Sequence, residues 1–220
     1  MTDFIQTRTN MVDGQIHPSG VIDPRILETF EKVPRELFVP ERLQGVAYAD
    51  EDLDIGQGRY LLEPMTHAKM IQAVQPVETD VVLDIGVGAG YSSAILSPMV
   101  MTIIALEHNK RQMDKAVKLW DRLDVCNVAL IEGKLIDGVA DQAPYSLIII
   151  NGAVDAVPDA LLNQVDVGGR LIAIVRKTGQ TVGQVTLFIR SEKGDVSSKV
   201  LFDASAPFLK GFEPKTHFKF

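Results

Sequence analysis

The segment Val81-Val82-Leu83-Asp84-Ile85-Gly86-Val87-Gly88-Ala89-Gly90 constrains this chain most. An apolar run that ends in three alternating glycines and leads into YSSAILSPM reads as strand, tight loop and helix. Glycine lets the backbone turn sharply and approach a ligand closely. The helix that follows directs its positive N-terminal end at the loop. A dinucleotide fingerprint requires a further glycine at the sixth position, where this chain has Tyr91. Asp84 also stands where its carboxylate would repel a pyrophosphate, but it suits a cationic or hydroxyl-bearing ligand.

Short apolar runs alternate with amphipathic stretches beyond this loop. TIIALE (102–107), VALIEG (128–133), SLIIIN (146–151) and RLIAIV (170–175) read as strands. KRQMDKAVKLWDRL and a stretch through DALLNQV read as helices. Near-continuous apolar strands imply a parallel sheet covered on both faces, hence a doubly wound, Rossmann-like α/β fold. The alternation ends in QVTLFIRS and KVLFDAS around EKGD, a C-terminal antiparallel hairpin. Such an ending is unusual for dinucleotide dehydrogenases and resembles the common methyltransferase fold, whose last strand inserts antiparallel. Glu107 closes the second strand about twenty residues beyond the loop, where an acid accepts ribose hydroxyls in doubly wound folds. Together these features predict a nucleoside-bearing cofactor.

The first 76 residues read differently, as an N-terminal helical cap and substrate-side segment ahead of a core over 77–220. A helix is expected over 4–16. A second opens at Asp23-Pro24, with Asp as N-cap and Pro in the first turn, and stops before Pro34. Residues 46–64 read as mostly irregular, and Thr66 as the cap of HAKMIQAV.

Composition narrows the function classes. The 220 residues carry 22 Lys+Arg against 29 Asp+Glu, a net charge of −7, and no basic run, which argues against nucleic acid as a partner. No apolar run approaches the ~18 residues of a membrane span. The N-terminus lacks the pattern of a signal peptide, and the single cysteine, Cys126, has no internal disulfide partner. Cytoplasmic residence is the economical expectation. Cys126 is expected to be buried, and Met113, Ala116, Val117 and Trp120 to form a core stripe. His17, His67, His108 and His217 are scattered without ligand spacing, and no Ser-His-Asp arrangement or G-x-S-x-G elbow is present. The aromatic-rich tail from Phe202 to Phe220 fits packing across the sheet or near a substrate mouth equally well.

Over almost its whole length the chain resembles the protein-L-isoaspartate O-methyltransferases. The resemblance rests on VPRELFVPE (33–41), AYADEDLDIGQG (47–58), VVLDIGVGAGYSSAIL (81–96), NVALIEG (127–133), APYSLIIINGA (143–153) and GGRLIAIV (168–175). It implies methyl transfer from S-adenosyl-L-methionine to the free carboxylate of an isoaspartyl residue in a protein or peptide partner, for protein repair. It implies cofactor contacts from Asp84, Gly86, Val87, Gly88, Gly90, Tyr91, Glu107, His108, Gly133, Lys134 and Asn151. An ionised acceptor and a good leaving group need alignment more than a strong base.

The chain departs from the family at four places. The stretch that usually reads Gln-Thr-Ile-Ser is Arg59-Tyr60-Leu61-Leu62, the substrate-side candidate segment. Arg59 reads either as a fork for a substrate carboxylate or as a surface arginine, and Leu62 as loop packing. Lys134 follows Gly133 where the family has the acid that meets the adenine amino group; a lysine only donates. Ser146 replaces a usual Asp, and Asn151-Gly152 a usual Thr-Ala. A different carboxylate or hydroxyl acceptor, or cofactor binding without catalysis, are the alternative readings. The sequence leaves the oligomeric state open.

Overall fold

The computed structural model describes residues 3–214. Its sheet is built from β3 (Val81–Ile85), β4 (Thr102–Glu107), β5 (Val128–Glu132), β6 (Tyr145–Val154), β7 (Val165–Val175), β8 (Gly183–Arg190) and β9 (Val196–Ala204). The spatial order is β5-β4-β3-β6-β7-β8-β9; the first five are parallel, and β8 and β9 run antiparallel. The order reverses between β3 and β6, and such a reversal opens a crevice at the carboxyl ends of the strands. The glycine loop leaves β3 at that point. Every residue from Val82 to Leu96 is buried, as both-sided coverage of a central parallel strand requires.

The terminal hairpin forms as expected, but the last strand does not insert. The short link after β7 lets β8 pair directly with it, and β9 is left at the edge with most of its residues exposed. β5 forms the other edge and is half-exposed for the same reason.

Helices α4 (Tyr91–Leu96) and α5 (Lys110–Arg122) follow β3 and β4, and α6 (Asp159–Leu162) precedes β7. α6 is a single turn because β7 already begins at Val165; the expected helix through DALLNQV stops early. Trp120 on α5 is buried as expected of the core stripe, and its Nε1 donates to Gly90 O at 2.9 Å. Val117 is exposed, and so is Cys126, which lies on the loop before the edge strand β5; the expectation of a buried thiol is corrected there.

The N-terminal segment supplies α1 (Phe4–Met11), a π-helical turn at Val12–Ile16, α2 (Pro24–Lys32) and α3 (Pro64–Val74). Asp23 caps α2 by accepting from Arg25 N at 2.9 Å, and Val33 turns extended ahead of Pro34. Residues 46–64 are less irregular than expected. They contain a two-stranded hairpin of β1 (Leu53–Gly56) and β2 (Arg59–Leu61). Gly56, Gln57 and Gly58 are all left-handed, which makes its turn tight. Thr66 lies inside α3 rather than capping it, and its hydroxyl bonds the Glu63 carboxylate. One buried apolar cluster runs without a break from these helices through Phe30, Phe38 and Tyr91 to the sheet residues Ile103 and Ile149.

Candidate cofactor site

The site is assembled at the carboxyl ends of β3, β4, β5 and β6. Parallel register pairs Asp84 with Ala105 and Ile149, and Glu107 with Glu132. The glycine loop, Glu107, Gly133 and Asn151 therefore meet at one rim. Gly86 N donates to Leu106 O at 2.9 Å, Gly90 N to Val87 O at 2.8 Å, and Gly133 N to Glu107 O at 3.0 Å. Gly86, Gly88 and Gly90 all have positive φ, which explains the alternating glycines.

Asp84 is fully buried and holds the loop from beneath. It accepts from Ser93 Oγ at 2.7 Å, Ser92 Oγ at 3.1 Å and Asn151 Nδ2 at 2.6 Å. Burial pushes its carboxyl up to about 6, against the pull of these hydrogen bonds. Ser92 and Ser93 escaped notice in the sequence. The signal was there in two hydroxyls on the first turn of the helix that follows the acid.

Glu107 carries the largest set of contacts. Arg59 Nε donates to its Oε2 and Arg59 Nη2 to its Oε1, each at 2.8 Å, and the side chains of the pair are 1% and 0% exposed. Gly88 N donates to Oε2 at 3.0 Å, and His108 N and Asn109 N to Oε1 at 2.8 and 2.9 Å. Burial works against the charge of Glu107, but the Arg59 fork and these N–H groups hold its carboxyl below the ordinary range. Arg59 is thus neither a surface arginine nor a free fork for a substrate. Both donors of its fork are spent on the Glu107 carboxylate.

The remaining candidates divide. His108 lies half-buried at the rim, with Nδ1 2.8 Å from Arg59 Nη2. Lys134 is exposed, and with His108, Glu132, Gly133, Leu135, Ile136, Lys210 and Gly211 it lines a cleft of about 450 Å³ beside Glu107. Tyr91 does not face this rim. It is the first residue of α4, and its ring packs between Phe38 and His67 on the side of the helical cap, beneath Arg35. Of the contact expected of Tyr91, the side chain therefore takes no part at this rim. In the Arg59–Leu62 segment, Tyr60 is half-buried and Leu61 and Leu62 are buried. The Leu62 side chain packs into the core, and its carbonyl accepts from Arg35 Nη2 at 2.7 Å. Ser146 lies at the opposite end of β6, where its hydroxyl donates to Asp80 and accepts from Val81 N.

The tail reaches the site as well. Ala153 N donates to Pro207 O and Leu209 N to Ala153 O, which lays Phe208 and Leu209 along β6. A Cβ on Gly86 would meet Leu209 Cδ1 at 2.8 Å, so Leu209 covers the first glycine. No pattern in the sequence announced this residue. His217 lies outside the described residues.

Comparison with known proteins decides the family. The family model described as Protein-L-isoaspartate(D-aspartate) O-methyltransferase (PCMT) matches residues 6–205. The chain belongs to the protein-L-isoaspartate O-methyltransferase family. It is similar to the protein-L-isoaspartate O-methyltransferase of Koribacter versatilis, at 32% identity over 97% of this chain and 96% of that protein. The enzyme of the same name from Roseiflexus sp. is 34% identical over 95% and 94%. A Plasmodium falciparum protein assigned to this methyltransferase and solved with S-adenosyl-L-homocysteine shares the fold, with a TM-score of 0.76 at 18% identity over 92% of this chain and 98% of that one.

Membership of this methyltransferase family implies S-adenosyl-L-methionine, and the residues can be tested against it. In kind they fit its nucleoside, because a buried carboxylate stands beside a glycine loop at the switch point of the sheet. In the arrangement described, Arg59 and Leu209 lie over the groups that would receive it.

Proposed function

We propose that this chain transfers the methyl group of S-adenosyl-L-methionine to the free carboxylate of L-isoaspartyl residues in proteins. The reading rests on one observation: the Gly86–Gly90 loop, Asp84 and Glu107 converge at the switch point of the sheet in a chain of this family. When bound, the cofactor supplies a methyl group already activated by a sulfonium.

The protein's part is placement. Asp84 fixes the loop through Ser92, Ser93 and Asn151, and Glu107 offers the carboxylate suited to a ribose diol. The acceptor carboxylate is ionised at neutral pH, so the chain needs to align and desolvate it rather than deprotonate it. The buried helical cap packed on α4 provides the water-excluding side. Gly133, Lys134 and His108 flank the base side of the cofactor, by their position around the cleft beside Glu107.

The reading also locates the protein in the cytoplasm, consistent with one cysteine; among the described residues no helix is long and apolar enough to cross a membrane.

A second reading keeps methyl transfer and changes the acceptor. It is favoured by Leu62, which stands at the family's serine position and turns its side chain into the core. The test of both is incubation with methyl-labelled S-adenosyl-L-methionine and an isoaspartyl peptide, with volatile methanol released from the base-labile ester as the readout. Release above that from an aspartyl control peptide is expected. None above the control, with label transferred to compounds of a metabolite extract, would establish the second reading instead.

A further inference from the structure

We propose that Arg59 is the chain's own occupant of the ribose seat on Glu107, so that cofactor binding is a displacement in which this guanidinium leaves the carboxylate. The inference rests on the cofactor reading above.

The acceptor count on Glu107 carries it. Oε1 receives Arg59 Nη2, His108 N and Asn109 N, and Oε2 receives Arg59 Nε and Gly88 N. A carboxylate has about four lone-pair sites. The acid is therefore saturated, and no position remains for a hydroxyl. The three backbone donors belong to the glycine loop and the start of α5 and stay with the site. Arg59 alone contributes one removable donor to each oxygen. Its departure leaves three backbone donors on about four sites, so Oε2, which then keeps only Gly88 N, opens to a ribose hydroxyl, and the crowding of Oε1 by three donors is relieved.

Arg59 is also mounted outside the main sheet, on a hairpin that Leu53, Ile55 and Leu61 anchor in the core, so the guanidinium leaves mainly by turning its own long side chain. β2 belongs to the two-stranded hairpin, separate from the main sheet, and its turn is flanked by the left-handed glycines Gly56 and Gly58. The hairpin docks on α5 through Gln112 Nε2, which donates to Ile55 O at 3.0 Å and Gly56 O at 3.2 Å. Arg59 has partners at the rim besides Glu107: Gly58 O at 3.1 Å from Nη1, and His108 Nδ1. A guanidinium that leaves the acid thus need not remain unpaired. A cofactor that binds only the opened form has its affinity reduced by the fraction of molecules open.

The experiment is calorimetric titration of S-adenosyl-L-homocysteine, which binds without turnover, into the full chain and its Arg59→Gln and Gln112→Ala variants. Thermal unfolding is followed with and without the ligand. Arg59→Gln removes the charge from the seat, and Gln112→Ala loosens the hairpin while leaving the ion pair in place. The expected result is binding at least about tenfold tighter in Arg59→Gln, and tighter by a smaller factor in Gln112→Ala. Arg59→Gln should also unfold at a lower temperature without ligand, because a buried carboxylate has lost its partner, yet gain a larger ligand-induced rise. Binding by both folded variants that is no tighter than that of the unaltered chain overturns the displacement and leaves the cofactor reading standing. Absence of binding in all three overturns the cofactor reading and the proposal with it.

Discussion

Asn151 Nδ2 donates to Asp84 Oδ1 at 2.6 Å and to Ile85 O at 3.0 Å, which ties the end of β6 to the last two residues of β3. Asn151 stands where the family usually has threonine, and it places a two-donor amide at the reversal of the sheet. Both acceptors are buried, so losing the amide leaves them short of a partner. Asn151→Ala is expected to lower stability by about 1–3 kcal/mol, read from urea unfolding. It should also push the Asp84 carboxyl further up, since one of the three groups that oppose its burial is gone.

The raised carboxyl of Asp84 makes a pH prediction with a definite sign. Its folded value, about 6, lies above the ordinary 3.8, so the folded state prefers the protonated form. That preference is fully present below about pH 4 and is lost as pH rises through about 6. Asp52, also raised to about 6 by burial, adds a similar slope, so the comparison must be with a variant at Asp84. The stability of Asp84→Asn relative to the unaltered chain should rise by on the order of 3 kcal/mol between pH 4 and pH 7. A difference independent of pH would show that Asp84 titrates normally.

What the sequence made legible follows from periodicity and backbone demands. The strands, the glycine loop and the Asp23-Pro24 helix start each leave a local mark, and each formed where the residues indicated. An acid at the end of the second strand was expected from the fold, and Glu107 does close β4 there. Its partner was not expected. Arg59 lies 48 residues earlier, and nothing local distinguishes a buried arginine from a surface one. The hairpin that carries it has strands of four and three residues, too short for alternation to register. The side chain of Tyr91 was not legible for a related reason: loop adjacency says nothing of direction, and the first turn of α4 aims it at the cap. Leu209 comes to Gly86 only through pairing of the tail with Ala153, a long-range contact with no pattern of its own.

His67 makes the protein sensitive to acid. Its ring is buried between Phe30 and Tyr91 near Arg35, and neither ring nitrogen has a hydrogen-bond partner among the described residues. Burial first, and the Arg35 charge second, lower it from 6.5 to about 3. The neutral ring is therefore compatible with folding, and its contribution is complete above about pH 6.5. As pH falls towards 3 the unfolded chain takes up a proton that the folded one refuses, and as much as about 5 kcal/mol is lost. His67→Phe, of similar shape and without polar atoms, should flatten the stability profile between pH 6.5 and pH 4. Denaturant midpoints across that range test it, and a variant as acid-sensitive as the unaltered chain would refute it.

Gly90 and Trp120 provide a test of how the glycine loop is held. Gly90 sits at φ 91°, and a Cβ there would lie 2.6 Å from the indole Nε1 and Cε2 of Trp120. The same indole donates to Gly90 O at 2.9 Å, so it cannot withdraw without giving up a buried hydrogen bond. Gly90→Ala therefore combines a left-handed alanine with a clash against a rigid ring, and a loss of about 3 kcal/mol or more is expected. Gly86→Ala meets only the flexible end of Leu209 at 2.8 Å, so its cost should be the backbone strain of about 1–2 kcal/mol. Trp120→Phe keeps most of the ring and removes one of the two donors to Gly90 O, which still accepts from Ala94 N at 3.1 Å, for about 0.5–1.5 kcal/mol. Because Gly90 and Trp120 touch, the double variant Gly90→Ala, Trp120→Phe should cost less than the two single changes together, the smaller ring giving the new methyl room. Strict additivity in urea unfolding would mean that the indole does not define the seat of the loop.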